Sequence, residues 1–358
     1  MNPREKLLRI LRRQGIDEVL YTFVFSPALE KKYRETTSSD LPYDAYYEFP
    51  WRELPYPIPT DTDLSRFLAY HGPIDPSNTE IDQWGIGHKS TPTSMHMTQM
   101  LHPLKDADDE EYIENYPMPH FIPELNQHIQ PAAEKIREAG YASVGQLQMS
   151  IWETAWYLRG MENLMMDMMS EDPMAEVLLR RVEEEAIAQA QIYARAGADI
   201  IFLGDDIGMQ HTIMMSIPLY QTWIKPALTR LIAAAKAINP EIIIFYHSCG
   251  YIEPFIEDLI EAGIDVLNPI QPECMDFEEI HQKYGDRISF HGTVGTQSTM
   301  PYGSREEIFR VVNKHLDIAG EKGGLLIAPT HMLEPDVPWE NVMSFMDACK
   351  ASPYNKKV

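Results

Sequence analysis

The second half of the chain alternates between short apolar runs and stretches with helical periodicity. Each run is apolar at successive positions and ends in polar residues, which is the pattern of a strand buried inside a parallel sheet. The predicted strands are Glu18–Phe25, Ser143–Ile151, Asp199–Gly208, Ile242–Cys249, Val266–Gln271, Ile288–Val294 and Leu325–His331.

Helices are predicted between these strands. One follows Asp172-Pro173 and ends at Gly197, and another is capped by Ser216 and runs to Ala237. Further helices are predicted at 252–263, Phe277–Lys283, Arg305–Ala319 and Trp339–Ala348. Repeated strand–helix units predict an α/β fold, and about eight of them favour a (β/α)8 TIM barrel over an open doubly wound sheet. A glycine-rich phosphate fingerprint follows none of the strands, which weakens a dinucleotide-binding interpretation.

Residues 31–130 do not follow this alternation. They are rich in Pro, Tyr, His and Asp and lack sustained periodicity. A connection of this length in a compact protein is usually functional. We therefore predict a single barrel domain over 1–358, with 31–130 as an irregular N-terminal excursion, or lid, inserted among the early elements.

Composition narrows the classes of function. The formal net charge of −24 argues against nucleic acid, because nothing in the chain would neutralise a phosphate backbone. Apolar runs stay short of membrane-spanning length, and the N-terminus is charged where a signal peptide is apolar. These features predict a cytoplasmic protein without a membrane partner. Three cysteines are a poor basis for a disulfide framework and a better one for a thiolate ligand or buried thiols.

Polar side chains gather where the predicted strands end, which is where the active site of a parallel barrel lies. They are Gln148 and Glu153, Asp205 and Asp206, His247 and Cys249, Asn268 and Gln271, His291 and Thr293, and His331. Loop residues are often polar, and this explains the amides and threonine without any site. It explains the histidines and Cys249 less well.

The motif His247-Ser-Cys249 points two metal-competent side chains to one face, because side chains in a strand repeat with period two. A third ligand from another strand would complete a catalytic zinc site with an open position. We predict His331 as that ligand, with Cys274 as the second choice and Cys349 as a buried thiol. The ordinary alternative is a buried cysteine beside a satisfied histidine.

The other strand-end residues receive roles around this centre. Adjacent carboxylates in a strand face opposite ways, so only one of Asp205 and Asp206 can point inward. We favour Asp206 as the inward, catalytic residue. Asp205 could instead cap a turn. The predicted catalytic residues are Asp206 and His291, and the predicted substrate-binding residues are Glu153, Trp156, Asp205, Asn268 and Gln271. Trp156 could instead be helix packing, and Glu153 could form an ordinary ion pair with Arg159.

At these residues the chain resembles the uroporphyrinogen decarboxylase superfamily over essentially its whole length. The resemblance is carried by "NPREKLLRILRRQ", "WETAWYLRGMENLMMDM", "GDDIGMQHTIMMSIPLYQTWIKPALTRLI", "YHSCGYIEPFIEDLIEAGIDVLNPIQ", "GTQSTMPYGSREEI" and "GGLLIAPTHMLEPDVPWENV". It implies a (β/α)8 barrel and one of two activities, porphyrinogen decarboxylation or corrinoid-dependent methyl transfer.

The resemblance favours methyl transfer. Members that decarboxylate carry an arginine-rich substrate loop near the N-terminus, and "FVFSPALEKKYRE" lacks it. Members that methylate thiols bind zinc through His-x-Cys and a distant Cys. At the position of that distant Cys, this chain has His331, the last residue of "APTH". One thiolate and two imidazoles would make zinc a stronger Lewis acid toward oxygen.

The resemblance therefore implies demethylation of a methoxylated compound, which we expect to be aromatic, with transfer of the methyl group to the cob(I)alamin of a corrinoid carrier protein. The alternatives are a uroporphyrinogen-type decarboxylase, zinc-dependent methyl transfer from a methyl-corrinoid to a thiol, and a non-catalytic binding barrel. A homodimer is one candidate for the oligomeric state.

Overall fold

The computed structural model describes residues 1–90, 98–147 and 149–355. Within these ranges the strands are β1 (Trp51–Glu53), β2 (Thr79–Ile81), β3 (Gly87–Lys89), β4 (Gln99–Leu101), β5 (Ala142–Leu147), β6 (Ile200–Gly204), β7 (Ile243–His247), β8 (Val266–Asn268), β9 (Ser289–His291) and β10 (Leu325–Leu326).

The α-helices in the same ranges are α1 (Pro3–Leu11), α2 (Pro27–Thr37), α3 (Tyr43–Tyr46), α4 (Glu110–Glu114), α5 (Ile129–Glu138), α6 (Trp152–Arg159), α7 (Met161–Met169), α8 (Pro173–Arg195), α9 (Ile217–Trp223), α10 (Lys225–Ile238), α11 (Ile256–Ala262), α12 (Phe277–Tyr284), α13 (Thr299–Tyr302), α14 (Arg305–Ala319) and α15 (Trp339–Lys350). Short 3₁₀ helices lie at Leu64–Tyr70, Pro123–Leu125 and Glu253–Phe255.

The main sheet of the described chain is parallel, with seven strands in the order β1-β5-β6-β7-β8-β9-β10. The sheet is curled, because the Trp51 ring on β1 lies 5.4 Å from the His291 ring on β9. Five strand spacings separate these strands, which would be roughly 24 Å in a flat sheet. The fold is therefore α/β with a curled parallel sheet, as in TIM-barrel-like proteins.

The predicted first strand lies beside β10. Isolated parallel bridges join Tyr21 to Ile327 and Phe25 to Leu333, without a regular strand between them. The structure thus places this segment at the edge of the sheet, and the sequence pattern overstates its regularity.

The two faces of the sheet bury different sets of side chains. The inner cluster joins α1 to alternate strand positions and contains Leu7, Leu8, Leu11, Ala142, Val144, Ile200, Phe202, Ile243, Phe245, Val266 and Leu326. The intervening positions, such as Ile244 and Tyr246, belong to the larger cluster that includes the surrounding helices. His247 is in phase with Ile243 and Phe245, so its side chain points inward at the carboxyl end of β7.

The strands end earlier than the sequence predicts. β6 ends at Gly204 instead of Gly208, and β7 ends at His247 instead of Cys249. Beyond these points the pairing is irregular. The Ser248 N–H still donates to the Asn268 carbonyl oxygen at 2.8 Å, whereas the Cys249 N–H donates to Asp206 Oδ1 at 2.7 Å. β8, β9 and β10 also end early, at residues 268, 291 and 326.

The helices lie closer to their predicted bounds. α14 has the predicted bounds, and α8 begins at the predicted proline. The single helix predicted from Ser216 to Ala237 is wrong, because α9 and α10 meet at Ile224. Pro226 has no N–H to continue the ladder of α9, so the helix is interrupted there. Over the described ranges, helices lack the combined length and apolar character that a membrane crossing requires.

The segment 31–130 is less irregular than its sequence predicts. It contains β1, which pairs with β5 in the main sheet, and an antiparallel sheet of β2, β3 and β4. The sequence pattern misses β1 because three residues are too few to show a period. Residues 91–97 of this segment, and Gln148, lie outside the described residues.

Candidate metal and substrate site

The loops that follow β6 and β7 touch each other through two glycines. A Cβ at Gly208 would lie 2.6 Å from the Cys249 carbonyl oxygen. Gly250 has φ of +87°, and a Cβ there would lie 2.7 Å from the carbonyl oxygen of Met209. Only glycine permits this approach, which brings the loop carrying Asp206 against the loop carrying Cys249.

Three potential ligands meet at this contact. The ligand atoms of Asp206, His247 and Cys249 all lie within 4.8 Å of one another. His247 Nε2 is 3.5 Å from Cys249 Sγ and 3.7 Å from Asp206 Oδ1. Two zinc bonds of 2.0–2.3 Å at a tetrahedral angle place their ligand atoms about 3.3–3.8 Å apart. The nitrogen, sulfur and oxygen donors therefore fit zinc in spacing and in chemistry.

His331 is not a member of this group of ligand atoms within the described chain. Its ring centroid is 6.3 Å from that of His247, and its side chain is exposed on the wall of the neighbouring cavity. The structure thus places the Asp206 carboxylate where the sequence predicts an imidazole. His331 as a zinc ligand stays a prediction that requires its side chain to move.

A chain of hydrogen bonds supports His247 from behind. Its Nδ1 lies 2.6 Å from Asn268 Oδ1. The amide nitrogen of Asn268 lies 2.9 Å from His291 Nδ1, and His291 Nε2 lies 2.8 Å from Thr22 Oγ1. Burial, with a smaller effect of His247, lowers the pKa of His291 to about 3. His291 is therefore neutral at physiological pH and does not act as a cation in this site.

Asp205 is fully buried and serves the backbone. Its carboxylate accepts hydrogen bonds from the N–H groups of Ile151 and Glu153 and from Ser150 Oγ, at the start of α6. Burial raises its pKa to about 6. The structure thus gives Asp205 an anchoring position, and its predicted contact with substrate stays untested.

Glu153 lies beside both aspartates. Burial, followed by the charges of Asp206 and Asp205, raises the pKa of Glu153 to about 8. Tyr157 Oη donates to its Oε1 at 3.0 Å. The carboxyl group is therefore largely protonated at neutral pH in the metal-free protein. The alternative of an ion pair with Arg159 is wrong, because that guanidinium bonds to Asp167 at 2.9 Å.

Two further predicted residues lie at the margin of the site. Gln271 Oε1 accepts a hydrogen bond from the Gly250 N–H and so holds the loop of Cys249. Trp156 packs edge-on against Tyr157, with ring centroids 4.1 Å apart, and does not line the cavity in the described structure. Gln271 thus holds the loop that carries Cys249, whereas Trp156 packs within α6, and the substrate contacts predicted for both residues stay predictions.

A cavity of about 620 Å³ opens over the inner face of the sheet at the carboxyl ends of the strands. Its lining includes the predicted residues His247, Asn268, His291 and His331. Aromatic side chains form much of the wall: Phe23, Tyr43, Phe49, Trp51, Tyr56 and Phe202. His247 therefore belongs both to the cavity and to the group of potential metal ligands.

The sequence interpretation missed most of this wall. Phe49 and Trp51 come from a segment that shows no period, and Thr22 lies in the predicted strand Glu18–Phe25 but had no predicted role. All three reach the cavity through tertiary packing. The one available signal was the density of aromatic residues between 21 and 56. Of the charged lining residues, Arg52 lies 3.3 Å from Asp44 and so has a carboxylate partner.

Comparison with known proteins places the chain among relatives of two kinds. Methylcobamide:CoM methyltransferase MtaA of Methanosarcina barkeri is 24% identical over 165 residues, which are 46% of this chain and 45% of that protein. A uroporphyrinogen decarboxylase of Hydrogenobaculum sp. is 23% identical over 181 residues, which are 51% of this chain and 49% of that protein. The chain thus matches about half the length of these curated relatives.

A methyltransferase from Methanosarcina mazei has a similar structure, with a TM-score of 0.69, 19% identity and 98% of both chains covered. At this identity the likeness concerns the fold. The family model of uroporphyrinogen decarboxylase (URO-D) matches residues 91–352. This confirms the superfamily that the sequence motifs indicate. Because the match extends over well more than half of its length, the chain belongs to the uroporphyrinogen decarboxylase (URO-D) family.

Proposed function

We propose that this protein is a corrinoid-dependent methyltransferase that demethylates a methoxylated aromatic compound. The methyl group would pass to cob(I)alamin on a separate corrinoid protein. One observation carries the proposal: the cavity with aromatic walls contains His247, which is also a member of the zinc-competent group. The likeness to MtaA, a methylcobamide:CoM methyltransferase, supports methyl transfer as the class of reaction.

We propose zinc as the metal, held by His247 Nε2, Cys249 Sγ and an Asp206 carboxylate oxygen. Bound zinc would supply a Lewis acid that withdraws charge from an ether oxygen as its bond to the methyl carbon breaks. The corrinoid would supply the nucleophile that accepts the methyl group. Burial and the carboxylates of Asp206 and Glu153 raise the pKa of Cys249, so metal binding would displace a proton from its sulfur.

The residues of the chain bind and orient the substrate. Offset or edge-on contacts with Phe49, Trp51 and Phe202 would hold an aromatic ring on the inner face of the sheet. A bound ring would also displace water from the space next to His247, which would strengthen electrostatic interactions there. Glu153 keeps a proton on its carboxyl group beside Asp206.

The same geometry supports a proposal for the domain organisation. We propose one (β/α)8 barrel domain over 1–358, in which the segment 31–130 covers the mouth of the barrel. Tyr43, Phe49 and Tyr56 of this segment already line the cavity. A corrinoid carrier would approach the same mouth from outside.

A second candidate function has a specific observation in its favour. With Asp206 in place of His331, the proposed ligands carry two negative charges, from a thiolate and a carboxylate. This lowers the Lewis acidity of zinc and suits a bound thiolate substrate, so methyl transfer to a thiol is the second candidate. Decarboxylation of a porphyrinogen is disfavoured, because the only arginine of the described cavity lining, Arg52, is already paired with Asp44.

The test is an anaerobic assay with zinc-loaded protein and cob(I)alamin, using anisole and a methoxyphenol as methyl donors. We expect methylcobalamin to form in the wild type and in the control variant Cys274→Ser, and to be lost in Cys249→Ser. Transfer from methylcobalamin to 2-mercaptoethanesulfonate would establish the second candidate instead. Release of CO2 from a porphyrinogen that persists with a chelator would overturn both.

A further inference from the structure

Four side chains form an unbroken hydrogen-bonded chain across the inside of the sheet. The chain runs from His247 through Asn268 and His291 to Thr22, with links of 2.6, 2.9 and 2.8 Å. Asn268, His291 and Thr22 are each less than a tenth exposed. Buried polar groups in a continuous chain constrain one another, because an unmatched donor or acceptor would cost free energy.

A backbone group determines which atoms donate and which accept along these hydrogen bonds. The amide side chain of Asn268 also lies 3.0 Å from the His291 carbonyl oxygen. A carbonyl oxygen only accepts, so the atom of Asn268 that faces it must be the NH2 group. The other amide atom, which faces His247 Nδ1, is therefore the oxygen.

Each remaining proton then has one allowed position. The amide oxygen accepts from His247 Nδ1–H, which leaves the lone pair of His247 on Nε2. The second amide hydrogen of Asn268 meets His291 Nδ1, so that nitrogen is the acceptor and His291 carries its proton on Nε2. His291 Nε2–H donates to Thr22 Oγ1, and the hydroxyl hydrogen of Thr22 points elsewhere.

We propose that Asn268 and His291 are positioning residues that lock His247 in the Nδ1–H tautomer, with Nε2 ready for a metal, and turn the Thr22 hydroxyl into a donor toward the cavity. The Nε2 of His247 faces Cys249 and Asp206, so the lock presents the lone pair to the proposed metal position. Thr22 lines the cavity, and its Oγ1 has no second partner in the described structure. This inference rests in part on the proposed function, because it gives the metal and the ligand of that site their orientation.

Imidazole nitrogen chemical shifts in the zinc-free protein test the lock without turnover. In water imidazole prefers the other tautomer, so an Nδ1–H signal from His247 is informative. We expect His247 as Nδ1–H and His291 as Nε2–H in the wild type. His247 found with its proton on Nε2 would overturn the proposal. His315, a buried histidine whose Nδ1 lies 3.0 Å from Thr293 Oγ1, serves as the internal control for folding.

Two substitutions of Asn268 separate a directional lock from simple packing. Asn268→Asp keeps an acceptor for His247 but removes the donor to His291. We expect His247 to stay Nδ1–H while His291 moves its proton to Nδ1. Asn268→Ala removes both partners, and we expect zinc affinity to fall about 10–100-fold, in the range for lost partners of metal ligands. An unchanged His291 tautomer in Asn268→Asp, or unchanged zinc affinity in a folded Asn268→Ala, would contradict the lock.

Ligand binding tests the role of Thr22, at the far end of the hydrogen-bonded chain. Anisole and ethylbenzene have similar shapes but differ by one oxygen acceptor. We expect calorimetry to show that the wild type and Thr22→Ser prefer anisole, and that Thr22→Val loses about 3–10-fold of this preference, the typical worth of one hydrogen bond. Equal preferences in Thr22→Val and wild type would remove Thr22 from the ligand site. If the tautomers are as expected but methyl transfer is absent, the proposed function fails and the lock remains.

Discussion

The two ends of β6 carry aspartates with opposite surroundings. At the amino end, Asp199 accepts three hydrogen-bond contacts of 2.7–3.1 Å from Arg4 and further bonds from Ser143. At the carboxyl end, Asp206 has no arginine or lysine partner among the described residues and lies beside His247 and Cys249. The satisfied carboxylate holds the fold together, whereas the one without a permanent cation is available for a metal.

The interior of the sheet shows the same contrast. At the amino end it is filled by Leu7, Leu8 and Leu11 of α1, which belong to the inner apolar cluster. At the carboxyl end it carries His247 and His291 and opens to the cavity. The amino end of the strand set thus serves stability, whereas the carboxyl end carries the proposed chemistry, and we expect changes at the amino end to leave zinc binding intact.

The largest expected effect is at the carboxyl end. Cys249→Ser removes the sulfur of the metal group, and we expect zinc affinity to fall more than about 100-fold, beyond the loss seen for partners of ligands. Metal analysis and competition with a chromophoric chelator measure this. Cys274→Ser is the matched control, because Cys274 lies outside the described ligand group and should retain zinc. Full zinc content in Cys249→Ser would break the contrast.

At the amino end, Leu7→Ala should lower stability and leave zinc in place. Leu7 is completely buried, so its truncation should reduce the free energy of unfolding by about 2–5 kcal/mol. Leu125→Ala, at a site 49% exposed, is the control and should change stability by less than about 0.5 kcal/mol. Loss of zinc in a folded Leu7→Ala protein would show that the ends are coupled.

The third prediction concerns acid stability. The folded-state pKa of His291 is about 3, below its ordinary value of 6.5, so the unfolded chain binds a proton more readily. Stability should therefore fall as the pH drops from 6.5 toward 3. Between pH 7 and pH 4, the free energy of unfolding should fall by about 3 kcal/mol less in His291→Asn than in the wild type. The reason is that each pKa unit corresponds to about 1.36 kcal/mol.

Denaturant unfolding of the zinc-free protein at several pH values measures this difference. His315→Asn is the comparison, since burial lowers the pKa of His315 to about 4 outside the site. His315→Asn should also weaken the pH dependence of the free energy of unfolding in acid, but it should leave zinc affinity unchanged. A His291→Asn profile parallel to the wild type would contradict the neutral state of His291.

The smallest effect is expected for Arg4→Met. It removes the cation from Asp199, a partly exposed pair, and should cost about 1–2 kcal/mol of unfolding free energy. Zinc affinity should not change. A weaker zinc site in this variant would mean that the amino end tunes the carboxyl end through β6.

Much of this architecture is predictable from the sequence. Helix periodicity predicted the bounds of α14, and the strand pattern predicted His247 at the end of β7. Cys249 lies beyond the end of β7, so its place beside His247 depends on the loop. The position of Asp206 beside Cys249 is not predictable, because it depends on the contact of Gly208 and Gly250 between two loops. The aromatic wall is likewise a tertiary feature, because it joins Phe23 and Phe202 of predicted strands to Phe49 and Trp51 of a segment without a predicted period.

The most direct test of the central claim is X-ray absorption at the zinc edge of the loaded protein. We expect one sulfur at about 2.3 Å and nitrogen and oxygen ligands at about 2.0–2.2 Å. The sulfur contribution should vanish in Cys249→Ser and persist in Cys274→Ser. A zinc shell without sulfur in the wild type, or one that is unchanged in Cys249→Ser, would contradict a metal centre formed by Asp206, His247 and Cys249.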